Sequence, residues 1–259
     1  MNTIDLASLP KVPGSSAPTV LFQDSGHAVY WLGLNEETAF RCNVYLVVDG
    51  DQALLIDPGD RRSFETVKSR VAQVLPPEKV TGMVLCHQDP DVAASMVDWL
   101  AVNPDMGVYT SMRANVLLPY FGVQKYRFVD VVLNKTLRLP SGATLSFIEA
   151  PFLHFAGAIT THDSASGFLF SGDIWAAVGS DWSLVVDNFI SHSVKMDMFH
   201  IDYMASNLAA RGFVRRLEPV QISAILPQHG SIIDGRFVDD AIDYLSELEC
   251  GTDVLYPDL

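Results

Sequence analysis

The chain has 259 residues, of which 49% are hydrophobic and 19% are charged, and its formal net charge at pH 7 is −14. This composition predicts a globular protein with ample apolar surface for a core, and it excludes intrinsic disorder. The strong negative charge would repel a phosphate backbone, which excludes nucleic acid as an expected partner.

The elements predicted in chain order begin after a Pro/Gly/Ser-rich arm that covers residues 1–19. This arm lacks the basic start and the apolar stretch of a secretory signal, and no later run approaches the ~20 apolar residues of a membrane-spanning helix. We therefore expect a cytoplasmic protein without a membrane partner.

Beyond the arm, runs of β-forming residues occupy 20–22, 27–34, 43–49 and 52–57. An Asp-Gly pair at 49–50 predicts a hairpin between the last two runs.

Helices and strands alternate in the rest of the chain. Apolar residues at helical spacing predict helices at 62–75, 92–102, 111–121, 204–217 and 237–249. Apolar or β-rich runs predict strands at 80–86, 106–110, 126–133, 136–139, 144–149, 158–162, 167–171 and 222–226. Adjacent hairpins imply substantial antiparallel pairing, so the pattern favours one α/β domain over 1–259, a sandwich of mixed sheets flanked by helices.

The three cysteines, Cys42, Cys86 and Cys250, show no CxxC spacing. This argues against a disulfide framework and against a thiolate metal site. Cys42 and Cys86 stand in apolar, strand-like runs, so we expect them to be small core residues.

Four residues of metal-binding types stand where predicted apolar strands end. The run MVLC leads into His87, FIEAPFL into His154, GFLFSG into Asp173 and ISAILPQ into His229. Loops at one edge of a sheet can converge, which would bring these distant residues into one site on rigid supports.

The segment HQDPD adds two further donors, because His87, Asp89 and Asp91 occupy alternate positions in a tight loop before a helix. Imidazole and carboxylate donors suit iron, manganese or zinc. Clustered carboxylates would repel one another by roughly 4 kcal/mol per pair at about 4 Å and an effective dielectric constant near 20. A metal ion is the simplest source of the positive charge that such a cluster needs.

Taken together, these segments resemble a known family. The motifs HQDPD, APFLHF, LFSGD and LPQHG are similar to the ligand pattern of flavodiiron proteins and of their flavin-free relatives, the oxygen-binding di-iron proteins of the metallo-β-lactamase superfamily. The segment NVYLVVDGDQALLIDPGD is similar to the opening hairpin of that fold. The resemblance implies a metallo-β-lactamase-type αβ/βα sandwich.

The resemblance also implies a division of the ligands between two irons. It assigns His87, Asp89 and His154 to one iron, Asp91 and His229 to the other, and Asp173 to a bridging position. Asp89 is shorter than the Glu common in the family, and Val92 replaces a His found in many members. The second metal is therefore expected to be poorer in protein ligands and open to a small molecule.

For function, the resemblance implies a di-iron protein that binds O2, or another diatomic ligand, reversibly, as an oxygen sensor or signalling component. It also implies a homodimer and a signalling partner. After His229 about thirty residues remain, so we expect no FMN domain in this chain. Two alternatives stay open: a binuclear metallohydrolase of the phosphodiesterase or lactonase type, and an O2 or NO reductase served by a separate electron-donor protein. Manganese or zinc could replace iron.

Three further residues are candidates for contact with the ligands rather than with the metals. They are His162 in the segment TTHD, His192, which together with His200 flanks the Met- and Phe-rich segment VKMDMF, and Tyr203, an aromatic residue suited to the wall of an apolar pocket.

Overall fold

The computed structural model describes residues 4–13, 17–33, 39–123 and 125–258. Its strands are β1 Thr19–Asp24, β2 His27–Trp31, β3 Tyr45–Asp49, β4 Gln52–Ile56, β5 Gly82–Val84, β6 Gly107–Thr110, β7 Arg127–Asp130, β8 Thr136–Arg138, β9 Thr144–Glu149, β10 Ile159–Asp163, β11 Phe168–Gly172, β12 Ala224–Pro227 and β13 Ile233–Asp234.

The α-helices are α1 Phe64–Val71, α2 Pro90–Ala93, α3 Met96–Val102, α4 Met112–Asn115, α5 Phe189–Tyr203, α6 Asn207–Leu217, α7 Val238–Glu247 and α8 Thr252–Leu255. Short 3₁₀ helices occupy Leu6–Ser8, Pro77–Lys79 and Leu118–Phe121. Over the described ranges, we find no helix that combines the length and the apolar character required to cross a membrane.

Two mixed sheets form the sandwich. The first has seven strands in the order β1-β2-β3-β4-β5-β6-β7, antiparallel as far as β4 and parallel from β4 to β7. The second has six strands in the order β13-β12-β11-β10-β9-β8, and its pairs are antiparallel except for β11 with β12. This architecture confirms the expected metallo-β-lactamase-type fold class. The predicted hairpin is also confirmed, because Asp49 pairs with Gln52 and Gly50 has a φ of 57°.

Strand alternation divides the apolar side chains into layers. Val47 and Leu54 are paired across β3 and β4 and face the core between the two sheets. Their neighbours Leu46 and Leu55 face the opposite side, in a core that also contains residues of α1 and α3. Since successive residues of a strand point to opposite faces, a sheet covered on both faces needs nearly continuous apolar strands. A third apolar core joins the second sheet to α5, α6 and α7.

Helix α5 departs from the sequence prediction, which placed a helix only at 204–217 in this region. Asn188 caps α5 by accepting a hydrogen bond from the Ser191 N–H. The exposed face of this helix carries apolar residues such as Ile190, Val194 and Met198. With apolar residues on both faces, the helical period is hidden in the sequence.

Two smaller differences concern element boundaries. The predicted helix at 92–102 is divided into α2 and α3 around Ser95, whose hydroxyl donates to the Pro58 carbonyl at 3.0 Å. Strand β13 has only two residues, which is too short to give a sequence pattern.

Candidate metal centre

The predicted metal-type residues lie at one edge of the sandwich. Strands β9, β11 and β12 run in the same direction in the second sheet, since β10 is antiparallel to both β9 and β11 and β12 is parallel to β11. Their carboxyl ends lead to His154, Asp173 and His229. The Ile159 N–H, at the start of β10, donates to the Cys86 carbonyl at 2.9 Å. This bond brings the segment of His87, which follows β5, to the same edge.

Four donors form a first group. The Nε2 atom of His154 lies 2.9 Å from Asp173 Oδ2, and that of His87 lies 3.5 Å from the same oxygen. Asp89 Oδ2 lies 3.6 Å from His87 Nε2 and 3.5 Å from His154 Nε2. The shorter arm of Asp89, which replaces the Glu of the family pattern, therefore still reaches between the two imidazoles.

A second group lies on the other side of Asp173. His229 Nε2 is 3.0 Å from Asp91 Oδ2 and 3.8 Å from Asp173 Oδ1. The two oxygens of Asp173 thus face different groups, Oδ2 the first and Oδ1 the second. This is the arrangement that a carboxylate shared between two metal ions requires.

The donor atoms fit a pair of metal ions. His87 Nε2, His229 Nε2 and Asp173 Oδ1 are buried, and the described part of the chain gives them no hydrogen-bond partner. Buried polar atoms are normally satisfied, so such atoms grouped at one place point to an ion as their partner. Imidazole and carboxylate donors suit iron, manganese or zinc.

The electrostatics of the cluster favour added positive charge. Burial alone would raise the pKa of Asp173, but His87, His154 and His229 hold it well below its usual range. Burial alone would lower the pKa of His87, but Asp173 and Asp89 outweigh it and raise that pKa to about 9. The carboxylates of the cluster thus stabilise positive charge among the imidazoles, as they would stabilise a bound cation.

Bonds on the far side of the imidazoles orient them. His229 Nδ1 lies 3.0 Å from the Arg41 carbonyl oxygen. A carbonyl only accepts, so Nδ1 carries the proton and Nε2 presents its lone pair to the cluster. His87 Nδ1 lies 2.9 Å from Cys86 Sγ, which likewise leaves Nε2 facing Asp89 and Asp173.

A buried carboxylate beneath the cluster was not singled out from the sequence. Asp57 follows β4 and accepts a hydrogen bond from the Cys86 N–H at 2.8 Å. Burial raises the pKa of Asp57 to about 6, against the opposing effects of that bond and of His87. Asp57 therefore fixes the backbone immediately before His87. Its only sequence signal was its position at the end of an apolar strand.

Aromatic rings cover the imidazoles. Phe40 stacks on His229 with ring centroids 3.5 Å apart. The rings of Phe199 and Tyr203 meet the edge of His154 at 5.8 and 6.0 Å, and they stack on each other at 4.7 Å. Tyr203, suggested from the sequence, therefore does contact a candidate ligand.

The other two suggested histidines have different surroundings. His162 lies three residues along β10 from the metal edge, about 10 Å at ~3.3 Å per residue, and its Nε2 bonds to the Gln221 carbonyl oxygen at 3.0 Å. The structure thus does not bring His162 to the cluster. His192 is buried on α5, and burial, with Lys195 and His200 nearby, lowers its pKa to about 4.

His200 is the α5 histidine that supports the cluster, a role the sequence did not reveal. Its Nδ1 donates to the Met196 carbonyl at 2.8 Å, and its Nε2 accepts from the Trp175 N–H at 2.9 Å. Trp175 comes two residues after Asp173. Burial lowers the pKa of His200 to about 4, which keeps Nε2 free of a proton and able to accept.

Val92 is fully buried and belongs to the core that contains Leu85 and Met96. Many members of the flavodiiron family, which the sequence resembles, have a histidine at this position. Val92 offers no donor atom to the cluster.

The fold and the cluster define a protein of the metallo-β-lactamase type with a candidate binuclear metal site. The family described as "ODP family beta lactamase" matches residues 40–230, and the chain belongs to this family.

Two similar solved structures match almost the whole chain. One, described as the peroxy diiron species of chemotaxis sensor ODP, is 31% identical with a TM-score of 0.81, covering 94% of this chain and 100% of that one. The other, the apo state of chemotaxis sensor ODP from T. denticola, is 30% identical with a TM-score of 0.79, covering 93% and 99%.

Curated relatives include the putative diflavin flavoprotein A 1 of Nostoc sp. strain PCC 7120, which is 23% identical over 202 residues, or 78% of this chain. The chain spans between 24% and 34% of the length of three such diflavin flavoproteins. The similarity to these longer proteins is therefore confined to one part of each.

Proposed function

We propose that this chain binds two iron ions at the cluster and that O2 binds to the reduced iron pair. The observation that carries this proposal is the position of Asp173, whose two oxygens face separate groups of donors. The solved ODP structure described as a peroxy diiron species supports it, because that protein is 31% identical and matches along its full length.

In this proposal His87, Asp89 and His154 hold the first iron, Asp91 and His229 hold the second, and Asp173 is shared. Three carboxylates make the donor set harder than that of a histidine-rich zinc site, which favours iron. When bound, a reduced iron pair supplies two electrons to O2. The protein's own contribution is to hold the donors in place and to cover them with Phe40, Phe199 and Tyr203, which limits access of water.

We extend the proposal to oxygen sensing in the cytoplasm, with a homodimer that signals to a protein partner. The name of the ODP relatives, chemotaxis sensor, supports this extension. So does the position of two covering rings, because Phe40 is 37% exposed and Tyr203 is 59% exposed while both contact candidate ligands. A change at either imidazole would reach the surface through one aromatic contact.

The test is iron loading without oxygen, followed by measurement of bound iron and of the optical spectrum before and after O2 is added. We expect two irons per chain and a new visible band that is reversed when O2 is removed. Asp173→Asn should weaken iron binding by at least about tenfold, since even residues behind metal ligands contribute 10–100-fold to affinity. Asp239→Asn, on the exposed first turn of α7, is the matched control and should bind like the wild type.

Other outcomes would identify the alternatives. Protein that takes up mainly zinc and cleaves a generic phosphodiester would be a hydrolase. Continuous O2 consumption that depends on an added electron-donor protein would indicate a reductase. An iron-loaded protein whose optical spectrum does not change when O2 is added would overturn the proposal.

A further inference from the structure

A sulfur atom lies within the second group of donors. Cys42 Sγ, a carboxylate oxygen of Asp91 and an imidazole nitrogen of His229 all lie within 4.8 Å of one another. From the sequence we expected Cys42 to be a core residue and no thiolate to take part in a metal site. The structure instead leaves Cys42 partly exposed at the cluster.

The backbone explains why the sulfur reaches this place. Cys42 and His229 form an isolated antiparallel bridge. The bridge is flanked by a bond from the Asn43 N–H to the Gln228 carbonyl at 2.6 Å and by the bond from His229 Nδ1 to the Arg41 carbonyl at 3.0 Å. Residues directly opposite in an antiparallel pair project to the same face, with Cβ atoms about 5 Å apart. The Cys42 side chain therefore lies beside the imidazole.

The Asn43 side chain makes this pairing rigid. Its amide nitrogen donates to the carbonyls of Pro227 and Gly230, each at 2.9 Å, and its oxygen accepts from Trp31 Nε1 at 2.8 Å. Asn43, the residue after Cys42, is thus hydrogen-bonded to the chain both before and after His229. These hydrogen bonds therefore hold the Cys42 sulfur at a fixed position beside the His229 imidazole.

A second, independent observation points to a ligand here. The His229 side chain is 0% exposed, and its Nε2 has no hydrogen-bond partner among the described residues. Its 3.0 Å contact with Asp91 Oδ2 lacks hydrogen-bond geometry. A buried nitrogen aimed at a carboxylate and a sulfur in this way is arranged for an ion between them.

The number of donors in each group also supports a role for Cys42. The first group offers His87, Asp89, His154 and Asp173 Oδ2, whereas the second offers Asp91, His229 and Asp173 Oδ1. The position of Val92 supplies nothing to the second group. With Cys42 each side offers the same number of protein donors, four, so Cys42 supplies the donor that the second group lacks.

We propose that the Cys42 thiolate is a ligand of the second metal ion, beside Asp91, His229 and the shared Asp173. This inference rests on the proposed two-metal function. On binding, the S–H bond breaks, its proton passes to water, and the sulfur lone pair forms the bond to the metal. The two metals then differ in kind, one with only nitrogen and oxygen donors and one with a soft sulfur donor.

The other two cysteines lie outside the second group, and Cys250 provides an internal control. Cys86 Sγ lies 2.9 Å from His87 Nδ1, the ring nitrogen that faces away from the cluster. Cys250 is buried in the core formed with α5, α6 and α7. Neither sulfur belongs to a group of candidate metal donors in the described ranges.

The test is X-ray absorption at the zinc edge on the full chain loaded with two equivalents of zinc, with metal content measured on the same sample. We expect a sulfur shell at about 2.3 Å, the usual zinc–thiolate distance, with an amplitude of one sulfur per two metals. Cys42→Ser should lose this shell, while Cys250→Ala, in a core away from the cluster, should keep it.

The outcomes separate this inference from the function on which it rests. Two bound zinc ions with only nitrogen and oxygen neighbours would overturn the role of Cys42 and leave the two-metal proposal standing. A chain that binds no metal would overturn both. The wild-type spectrum alone decides between these results, so the inference does not depend on the folding of any variant.

A second readout is the rate at which iodoacetamide alkylates Cys42, followed by peptide mass spectrometry. We expect zinc to slow this reaction by at least about tenfold, because a coordinated thiolate is a poor nucleophile compared with a free one. Equal rates with and without zinc would contradict the assignment.

Discussion

Single side chains near the cluster act by orienting donors and covering them. His229 shows both effects, because its Nδ1 is tied to the Arg41 carbonyl and its ring is stacked against Phe40. The first contact selects which ring nitrogen faces the cluster. The second covers one face of the ring and holds its plane.

Replacement of Phe40 by leucine tests the covering role. Phe40→Leu should leave two metals bound but speed their release to a chelator by roughly twofold to tenfold, since an aromatic pair contributes about 0.5–1.5 kcal/mol beyond its buried area. The measurement is the rate of zinc transfer to a colorimetric chelator. Tyr120→Leu, at a ring that is 86% exposed, is the control. Matching release rates for Phe40→Leu and the wild type would remove this role.

Most residues of the cluster could be predicted from the sequence. A His or Asp that follows an apolar strand is a local pattern, which the sequence shows directly. His87, Asp173 and His229 all show it. Cys42 could not be found in this way. Its place beside His229 depends on pairing between segments 187 residues apart, and its own run resembles an ordinary core strand.

Among the elements, β2, β3 and β10 share a buried ionic contact at the edge opposite the metal cluster. His27 lies between Asp49 and Asp163, with N–O distances of 2.7 and 2.9 Å, and the three side chains are at most 3% exposed. Burial alone would lower the pKa of His27, but Asp163 and Asp49 raise it overall. Both carboxylates have lowered pKa values despite burial: hydrogen bonds from Ser141 and then His27 lower the pKa of Asp49, and His27 lowers that of Asp163.

This contact predicts a pH-dependent contribution to stability. Because the folded protein raises the pKa of His27, the imidazolium contributes fully below pH ~6.5 and its contribution is lost as the pH rises through the raised value. The carboxylates behave in the opposite sense and lose their contribution as the pH falls below ~4. The contact is therefore strongest between these limits.

The variant His27→Gln tests this dependence through denaturant unfolding across the pH range. We expect it to be less stable than the wild type by about 3 kcal/mol near pH 5.5, since removal of one partner from a buried ion pair costs ~3–5 kcal/mol. The difference should shrink at alkaline pH. His162→Gln, on β10 but outside the contact, should show little change with pH. A difference for His27→Gln that is constant with pH would contradict the assignment of charge to His27.

Burial explains why some helices and strands could be predicted from the sequence and others could not. Strands such as β3 and β4 are covered on both faces, so their nearly continuous apolar runs are easy to identify. Helix α6 was also evident, because Ala210, Phe213 and Leu217 are buried while its arginines are not. Helix α5 was missed because its exposed face is apolar as well.

For the whole molecule, the cluster joins the two sheets. His87 follows β5 of the first sheet, whereas His154, Asp173 and His229 follow strands of the second. Metal binding should therefore resist separation of the sheets, which is a step that unfolding requires. A ligand that binds only the folded state stabilises it by about 2.7 kcal/mol per site at a hundredfold excess over its dissociation constant.

Metal loading should consequently raise the melting temperature of the wild type, as measured by calorimetry with and without iron under anaerobic conditions. For Asp173→Asn the increase should be much smaller, since both metals lose a shared donor. Asp239→Asn should respond like the wild type. An increase of the same size in Asp173→Asn would show that the metals bind elsewhere.

The most direct test of the two-metal centre is anomalous scattering at the iron edge from a crystal of the iron-loaded chain. We predict two separate iron peaks on either side of the Asp173 carboxylate, one near His87 and His154 and the other near His229 and Cys42. A single peak, or iron bound away from Asp173, would contradict the account.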